Sequence, residues 1–374
     1  MQRKALELLC ASVLVIILTA GLWPFHAPKN EVTWLNKGNG LHFGDYGLVL
    51  SSNVFSPAGL KEATSCSFEI WLQSDFSDIG GTILGFYAPE NRTVAFSMHQ
   101  SIDDLLLRHV TGDRRSRTKT KLYIEHAFRN NKQMFITITS NAQGTAVYVN
   151  GGLVLTSPRF AFSSKDLRGQ LVVGNHPMVD NGWQGQLKGL VIYNRDLTAA
   201  EVSQDYEAWR TNQQAEIKNK GPVALYLFNE GMGNVVHNQM DSRTDLHIPE
   251  RYFVLHAPFL ERPWDEFELS WSYCNHVLIN IGGFVPLGFF FCAYFSSVRR
   301  FERAVLATIL LGGIVSFTIE VLQAFLPTRD SGMTDIVTNT LGTGVGAMLY
   351  GSRSVQALLA AVGLQGQRQP VGKR

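Results

Sequence analysis

The chain has 374 residues, 45% of them hydrophobic and only 17% charged, with a mean hydropathy of zero. Lys and Arg number 33 against 31 Asp and Glu, a formal net charge of +2 that is too balanced for a nucleic-acid binder. Apolar content is ample for a core, so disorder is excluded as the main state. At roughly 150 residues each, about two domains are expected.

Both ends of the chain read as membrane and its middle as soluble. The first apolar run, Ala5 to Trp23 after Arg3 and Lys4, is long enough to cross a bilayer as a helix. The residues after it (Pro24, Phe25, His26, Ala27, Pro28) make a poor small-x-small cleavage site, so a retained anchor is favoured over a signal peptide. Residues 1–25 are assigned to this helix.

From 31 to 215 short alternating strands are broken by turns, as in an all-β sandwich. Strands are expected at Phe68 to Leu72, Thr82 to Phe86, Thr93 to Met98, Phe135 to Ser140, Thr145 to Val149 and Leu171 to Val173. Asn150-Gly151 signals a tight hairpin between Val147–Val149 and Leu153–Leu155. Thr198 with Glu201 forms a capping box for a short helix ending near Trp209.

Ser67-Phe68-Glu69-Ile70-Trp71, Tyr148-Val149-Asn150-Gly151, Leu171-Val172-Val173-Gly174-Asn175, Trp183-Gln184-Gly185 and Tyr193-Asn194-Arg195-Asp196-Leu197-Thr198 follow one another in order. In that combination the segment resembles a concanavalin A-like, laminin G-type jelly roll, over about half the chain. Phe68, Trp71, Tyr148 and Trp183 are read as core rather than as sugar platforms. Ala224 to Gly231 resembles a further strand of the same fold, so residues 216–273 are read as completing strands and linker.

No cofactor is expected in this domain. Calcium occurs in some members of the fold, and Asp75, Asp78, Asp180 and Asn181 offer oxygen ligands, but no dense acidic loop gathers them. Arg108, Arg114, Arg115, Arg117, Lys119 and Lys121 form the one basic cluster. It is either a solvated hairpin or a contact for anionic headgroups or envelope polymer, with Arg114, Arg115 and Arg117 at its centre. Cys10, Cys66, Cys274 and Cys292 show no metal-ligand spacing, and a Cys66–Cys274 disulfide is not favoured.

Three more apolar runs follow: His276 to Phe295, Ala304 to Leu326, and the shorter, glycine-rich Met333 to Tyr350. Residues 274–352 are assigned to these helices, which with the first make a transmembrane bundle of four, and 353–374 to a tail. Basic residues gather before the first helix, between the second and third (Arg299, Arg300, Arg303) and after the fourth. The positive-inside rule then puts both termini in the cytoplasm and the jelly roll outside.

The last helices carry polar groups at regular spacing. Ser316, Glu320 and Gln323 share one face at i, i+4 and i+7, and Asp335, Asn339 and Gly342 repeat the interval. Asn280 lies in the preceding helix and Arg329 in the loop from Pro327 to Ser331. Charged groups at a helix centre cost about 2.5 to 3.5 kcal/mol even on lenient insertion scales, so they are expected to face one another. Two readings stay open: interhelical hydrogen bonds, with Gly342 and Gly346 permitting close approach, or a site in which Glu320 and Asp335 are the ionisable centre and Arg329 meets an anion.

Asn280-Ile281, Phe284-Val285-Pro286-Leu287-Gly288, Ser316, Ile319-Glu320, Gln323, Leu326-Pro327, Arg329, Asp335-Ile336, Asn339 and Leu341-Gly342 resemble the VanZ-like family in residue type and spacing through about 70 residues. Gly282-Gly283 departs from its bulkier pattern. The resemblance implies a jelly roll inserted after the first helix of a bacterial inner-membrane protein. It also implies a cell-envelope theme linked to glycopeptide-antibiotic resistance, without implying a reaction. The expected partners are a membrane lipid and an envelope glycan, polymer or protein. A binding role is favoured over a membrane-embedded hydrolase or transferase using Glu320 and Asp335, and over a proton-coupled transporter.

Overall fold

The computed structural model describes residues 3–51, 54–55, 63–76, 78–112, 118–257, 259–267, 271–297 and 300–361. In chain order the elements are α1 (Arg3–Leu22), β1 (Val32–Trp34), β2 (Leu41–Phe43), β3 (Val49–Ser51), β4 (Cys66–Ser74), β5 (Gly81–Ala88), β6 (Thr93–Ser101), β7 (Asp104–Thr111) and β8 (Thr118–Ile124). They continue with β9 (Met134–Asn141), β10 (Gly144–Val149), β11 (Gly152–Ser157), β12 (Gln170–Val173), β13 (Gly185–Tyr193), α2 (Ala199–Arg210), α3 (Gln214–Asn219), β14 (Ala224–Tyr226), β15 (Val235–Val236) and β16 (Leu246–His247). The last helices are α4 (Pro263–Glu266), α5 (Trp271–Ser296), α6 (Phe301–Gln323), α7 (Met333–Gly351) and α8 (Arg353–Ala361). The chain divides into two units, residues 28–256 and the remainder.

In the first unit two antiparallel sheets stack as a jelly-roll-like sandwich. One runs β1-β2-β13-β4-β9-β10-β11, with β14 also on β13, and the other β15-β16-β3-β12-β5-β6-β7-β8. Every strand expected from the alternation lies within an observed one. The hairpin at Asn150-Gly151 has both turn residues at positive φ, +49° and +80°, the conformation that matches strand twist and that Asn-Gly tolerates. The strands at 224–226, 235–236 and 246–247 belong to the two sheets.

The core between the sheets is aromatic. Phe68 stacks on Phe96 at 5.2 Å between centroids, and Phe96 on Phe162 at 4.4 Å. Trp183 is 1% exposed, and its indole N–H donates to Gln100 Oε1 at 2.9 Å. The strands β4 and β9 are buried along nearly their whole length, because helix α2 covers their second face. There Trp71 and Phe135 pack against Trp209. Thr198 caps α2 as expected: it accepts from Glu201 N–H at 3.3 Å, while its own N–H donates to Glu201 Oε2 at 2.9 Å. Glu69 is fully buried on β4, and burial beside Asp205 pushes its carboxyl pKa well up.

In the second unit α7 packs on α5 and α6, and α1 on α5 and α6. The approach of α5 to α7 depends on glycine. A Cβ on Gly342 would run into the backbone of Ile281, one on Gly346 into that of Val285, and one on Gly288 into that of Thr343, each nearer than real Cβ atoms come. Small residues at these points let two backbones meet. Gly282 and Gly283 do something else, since a Cβ on either would meet nothing within 4 Å.

Among the described residues three helices are long and apolar enough to cross a membrane: Arg3–Leu22, Tyr273–Ser296 and Phe301–Gln323. The sequence reading expected four. The remaining one, α7, forms and packs with the others, but its 19 residues include four Thr, four Gly, Asp335 and Asn339. These dilute its hydropathy in exchange for close packing and polar contacts.

Candidate functional site

The polar residues of α5, α6 and α7 converge. Ser316, Glu320 and Gln323 are 0%, 1% and 9% exposed and Asn339 is 6% exposed, so the helical spacing turns the whole set inward. Asn280 Nδ2 donates to Asp335 Oδ1 at 2.7 Å, joining α5 to α7. Asn339 Nδ2 donates to Ser316 Oγ at 2.9 Å, joining α7 to α6, and Ser316 Oγ donates to the carbonyl of Asp335 at 3.4 Å.

Helix ends explain the other three residues. The N-cap of α7 is Gly332, which has no side chain to cap its own helix. Glu320 does so from α6, accepting the Gly332 N–H at 2.8 Å, and its negative charge suits a helix N-terminus. α1 has no basic residue in its last turn. Arg329 supplies one from the loop, with Nε and Nη2 on the carbonyl of Trp23 at 3.0 and 2.6 Å and Nη2 on that of Ala20 at 3.5 Å. Gln323 Nε2 donates to the carbonyl of Gly21 at 2.8 Å. This use of Arg329 and Gln323 was not legible in the sequence, because nothing local links residues three hundred positions apart.

These groups surround a cavity of about 370 Å³. Asn280, Glu320, Gln323, Arg329, Asp335 and Asn339 line it, with Ile17, Phe284 and Ile319 supplying apolar wall. Ser316, the seventh predicted residue, is not in the lining but lies behind Asn339. The cavity sits at the end of the bundle where α1 and α6 finish and α5 and α7 begin. Gly283 and His276 also line it. In the sequence Gly283 is only a departure from the bulkier pattern of the resemblance, whereas in the structure its missing side chain leaves cavity space. Two amide oxygens in the wall, Gln323 Oε1 and Asn339 Oδ1, have no hydrogen-bond partner.

In the sandwich unit the calcium candidates are not gathered. Asp75 pairs with His42 at 2.7 Å, Asn181 donates to Thr82 Oγ1 at 2.9 Å, and Asp78 is exposed. The one metal-type grouping among the described residues is Asp103, Asp104 and His126, already joined by a His126–Asp103 contact at 2.7 Å. Arg114, Arg115 and Arg117 lie outside the described residues. The flanking members of the basic cluster remain: Arg108 on β7 stands directly opposite Lys121 on β8. Arg108 and burial hold His99 and His176 low, at about 3 and about 4. In both, burial is the larger cause. All four cysteines are free.

A family model described as VanZ/LLP1 matches residues 199–354. One described as the concanavalin A-like lectin/glucanases superfamily matches residues 49–203. The chain carries a VanZ/LLP1 region and a concanavalin A-like domain. The VanZ/LLP1 match begins at α2 and so takes in β14 to β16 as well as the membrane helices. No curated protein matches the chain. Among solved structures, the binding domain of botulinum neurotoxin DC in complex with rat synaptotagmin II is 16% identical, with a TM-score of 0.36. It is matched over 48% of this chain and 46% of that one. The botulinum neurotoxin type G receptor binding domain is 15% identical over 49% and 45%, with a TM-score of 0.34. The chain thus spans less than half of either, and at those scores neither bears on function.

Proposed function

We propose that this is a multi-pass protein of the bacterial inner membrane, with both termini cytoplasmic and the jelly roll outside. The VanZ-like cavity takes the headgroup of a membrane lipid or lipid-linked envelope component. The jelly roll engages an envelope glycan, polymer or protein. The observation that carries this reading is a cavity onto which six polar side chains converge, formed by α7 with three helices apolar enough to cross a membrane. Ionisable groups within membrane helices face the bundle interior or a wet cavity, where they mark substrate and ion pathways. For the jelly roll, the facing Arg108 and Lys121 support an anionic partner, because like charges directly opposite on a sheet repel unless something neutralises them.

The geometry favours binding over catalysis. Among the described residues no Ser, Thr, Cys or Lys lines the cavity, so it offers no side-chain nucleophile of those types. Glu320 and Asp335 are each engaged in holding a helix.

Gly283→Leu tests the reading, since it fills the cavity from a position where a Cβ meets nothing and replaces glycine by a better helix former. Lipids that co-purify with the full-length protein are identified by mass spectrometry. The wild type is expected to retain a lipid above its bulk abundance and the variant to lose it at unchanged thermal stability. The same lipid profile from both proteins would remove the cavity from the proposal.

A further inference from the structure

We infer that Trp264, Phe267 and Trp271 anchor this chain in the lipid headgroup layer at the cavity end of the helix bundle. The inference rests on the membrane-spanning reading of α1, α5 and α6 above and is independent of what the cavity binds. The three rings are 71%, 61% and 84% exposed, an apolar surface that water disfavours. Their surroundings are charged: Glu261, Arg262, Asp265 and Glu266 follow closely on one another, which hydrocarbon disfavours as strongly. Only a boundary between the two suits both. Tryptophan gathers at that boundary in membrane proteins, because its ring is apolar and its N–H polar. The Arg262 guanidinium also lies over the Trp264 ring, 5.8 Å from its centre. This cation–π contact gives the anchor its own positive charge to meet lipid phosphate.

Hydrogen bonds place these rings where the apolar helices end. Glu261 N–H donates to the Ser331 carbonyl at 3.0 Å, and the Glu261 carbonyl accepts from Met333 N–H at 2.8 Å. The segment leading into Trp264 is thereby stitched to the start of α7. Gly332 N–H, between those two bonds, donates to Glu320 in the last turn of α6. Gln323 donates to the carbonyl of Gly21 at the end of α1. Trp23 and Phe325 each stand two residues past that bond, and both are exposed. Trp271 comes two residues before the apolar span that begins at Tyr273. Exposed aromatic rings therefore border all three spans at this one end. His276 lies five residues beyond Trp271, about 7.5 Å along α5, and lines the cavity. The headgroup layer is about 6 Å deep, so an indole seated in it sets the His276 wall of the cavity at the top of the hydrocarbon.

The test uses full-length protein in liposomes of phosphatidylcholine and phosphatidylglycerol. Tryptophan emission is quenched by lipids carrying a nitroxide either near the glycerol or near the bilayer centre, and by iodide in the water. The chain has seven tryptophans, so each anchor is read as the emission removed by Trp264→Phe or Trp271→Phe, which keep an apolar ring. That emission is expected to be quenched about twofold or more strongly by the shallow nitroxide than by the deep one, because half the hydrocarbon core is about 15 Å. Quenching by iodide alone would put the rings in water, and stronger quenching by the deep nitroxide would put them in hydrocarbon. Quenching by none of the three would mean that protein covers them, whether the sandwich or a second copy. Each of these outcomes overturns the inference. Cys274, the one exposed cysteine of the four, lies three residues beyond Trp271. A fluorophore placed on it in the wild type is expected to show the same shallow preference, and its quenching by iodide alone would overturn the inference even if neither tryptophan variant folds. Protein that stays in the liposomes through an alkaline carbonate wash leaves the spanning reading standing in all these cases. Release by that wash would overturn the spanning reading itself.

Discussion

The two units are held together by different kinds of contact. In the sandwich the core is aromatic, and Trp183 satisfies its single polar atom on Gln100. In the helical unit the buried polar side chains hold the helices together, and glycines bring backbones into contact. The solvent accounts for the difference. Water drives apolar surface together between two sheets. Lipid tails are as apolar as leucine, so helices within a membrane associate through close packing and hydrogen bonds. Truncating the aromatic core should therefore damage the sandwich, and adding a methyl at the α5–α7 contact should damage the helices.

The largest expected effect is in the sandwich. Trp183→Ala should lower its stability by about 3 to 5 kcal/mol through the cavity it leaves, read from denaturant unfolding of the full-length protein in detergent by tryptophan fluorescence. A loss below about 1 kcal/mol would mean that the sheets are not held by this core.

Acid should come next, again through groups in the sandwich. His99 and His176 are held at about 3 and about 4, against 6.5 when unperturbed, by burial first and Arg108 second. Their folded-state values are depressed, so the unfolded chain binds more protons between these limits and stability falls as pH drops below about 6.5. By pH 5 the loss is at most about 2 kcal/mol for each histidine. Glu69 works in the opposite sense, since its raised value penalises the folded state as pH rises above the ordinary carboxylate range. His99→Gln should flatten the slope of the unfolding midpoint against pH between 6.5 and 5. An unchanged slope would show that His99 is not the group protonated.

In the helices, adding a single methyl should suffice. Gly342→Ala puts a Cβ against the backbone of Ile281, and overpacking of this kind costs about 1 to 3 kcal/mol. Gly283→Ala, on the same α5 but with nothing within 4 Å of the added Cβ, should cost nothing measurable. Thermal unfolding of the two variants in one detergent makes the comparison, and equal midpoints would show that α5 and α7 are not in backbone contact.

These contrasts also explain what could be read from the sequence. Strand alternation, the Asn150-Gly151 turn and the Thr198 capping box are local signals, and each falls where expected. The inward face of Ser316, Glu320 and Gln323 follows from helical spacing, also local. What stayed hidden was what those residues bond to. The hydrogen bond from Gln323 to Gly21 and those from Arg329 to Trp23 and Ala20 join positions about three hundred residues apart. They end on backbone carbonyls, which leave no mark in a sequence. The role of Gly283 was hidden for a related reason, since a glycine that packs and a glycine that leaves a space are written with the same letter.

The smallest expected effects separate charge from hydrogen bonding in each unit. Glu320→Gln removes a charge but keeps an oxygen for the Gly332 N–H, whereas Glu320→Ala removes the cap, worth about 0.5 to 2 kcal/mol. Only the alanine variant should lower thermal stability by that amount. If the glutamine variant falls as far, the charge itself holds α7. On the sheet, Arg108→Thr relieves the repulsion from Lys121 and should raise stability by about 0.2 to 1 kcal/mol while weakening retention on an anionic polymer such as heparin. Higher stability with unchanged retention would break the link between this pair and an anionic partner. Lower stability would mean that the arginine stem, lying along the sheet, contributes more by packing than its charge costs.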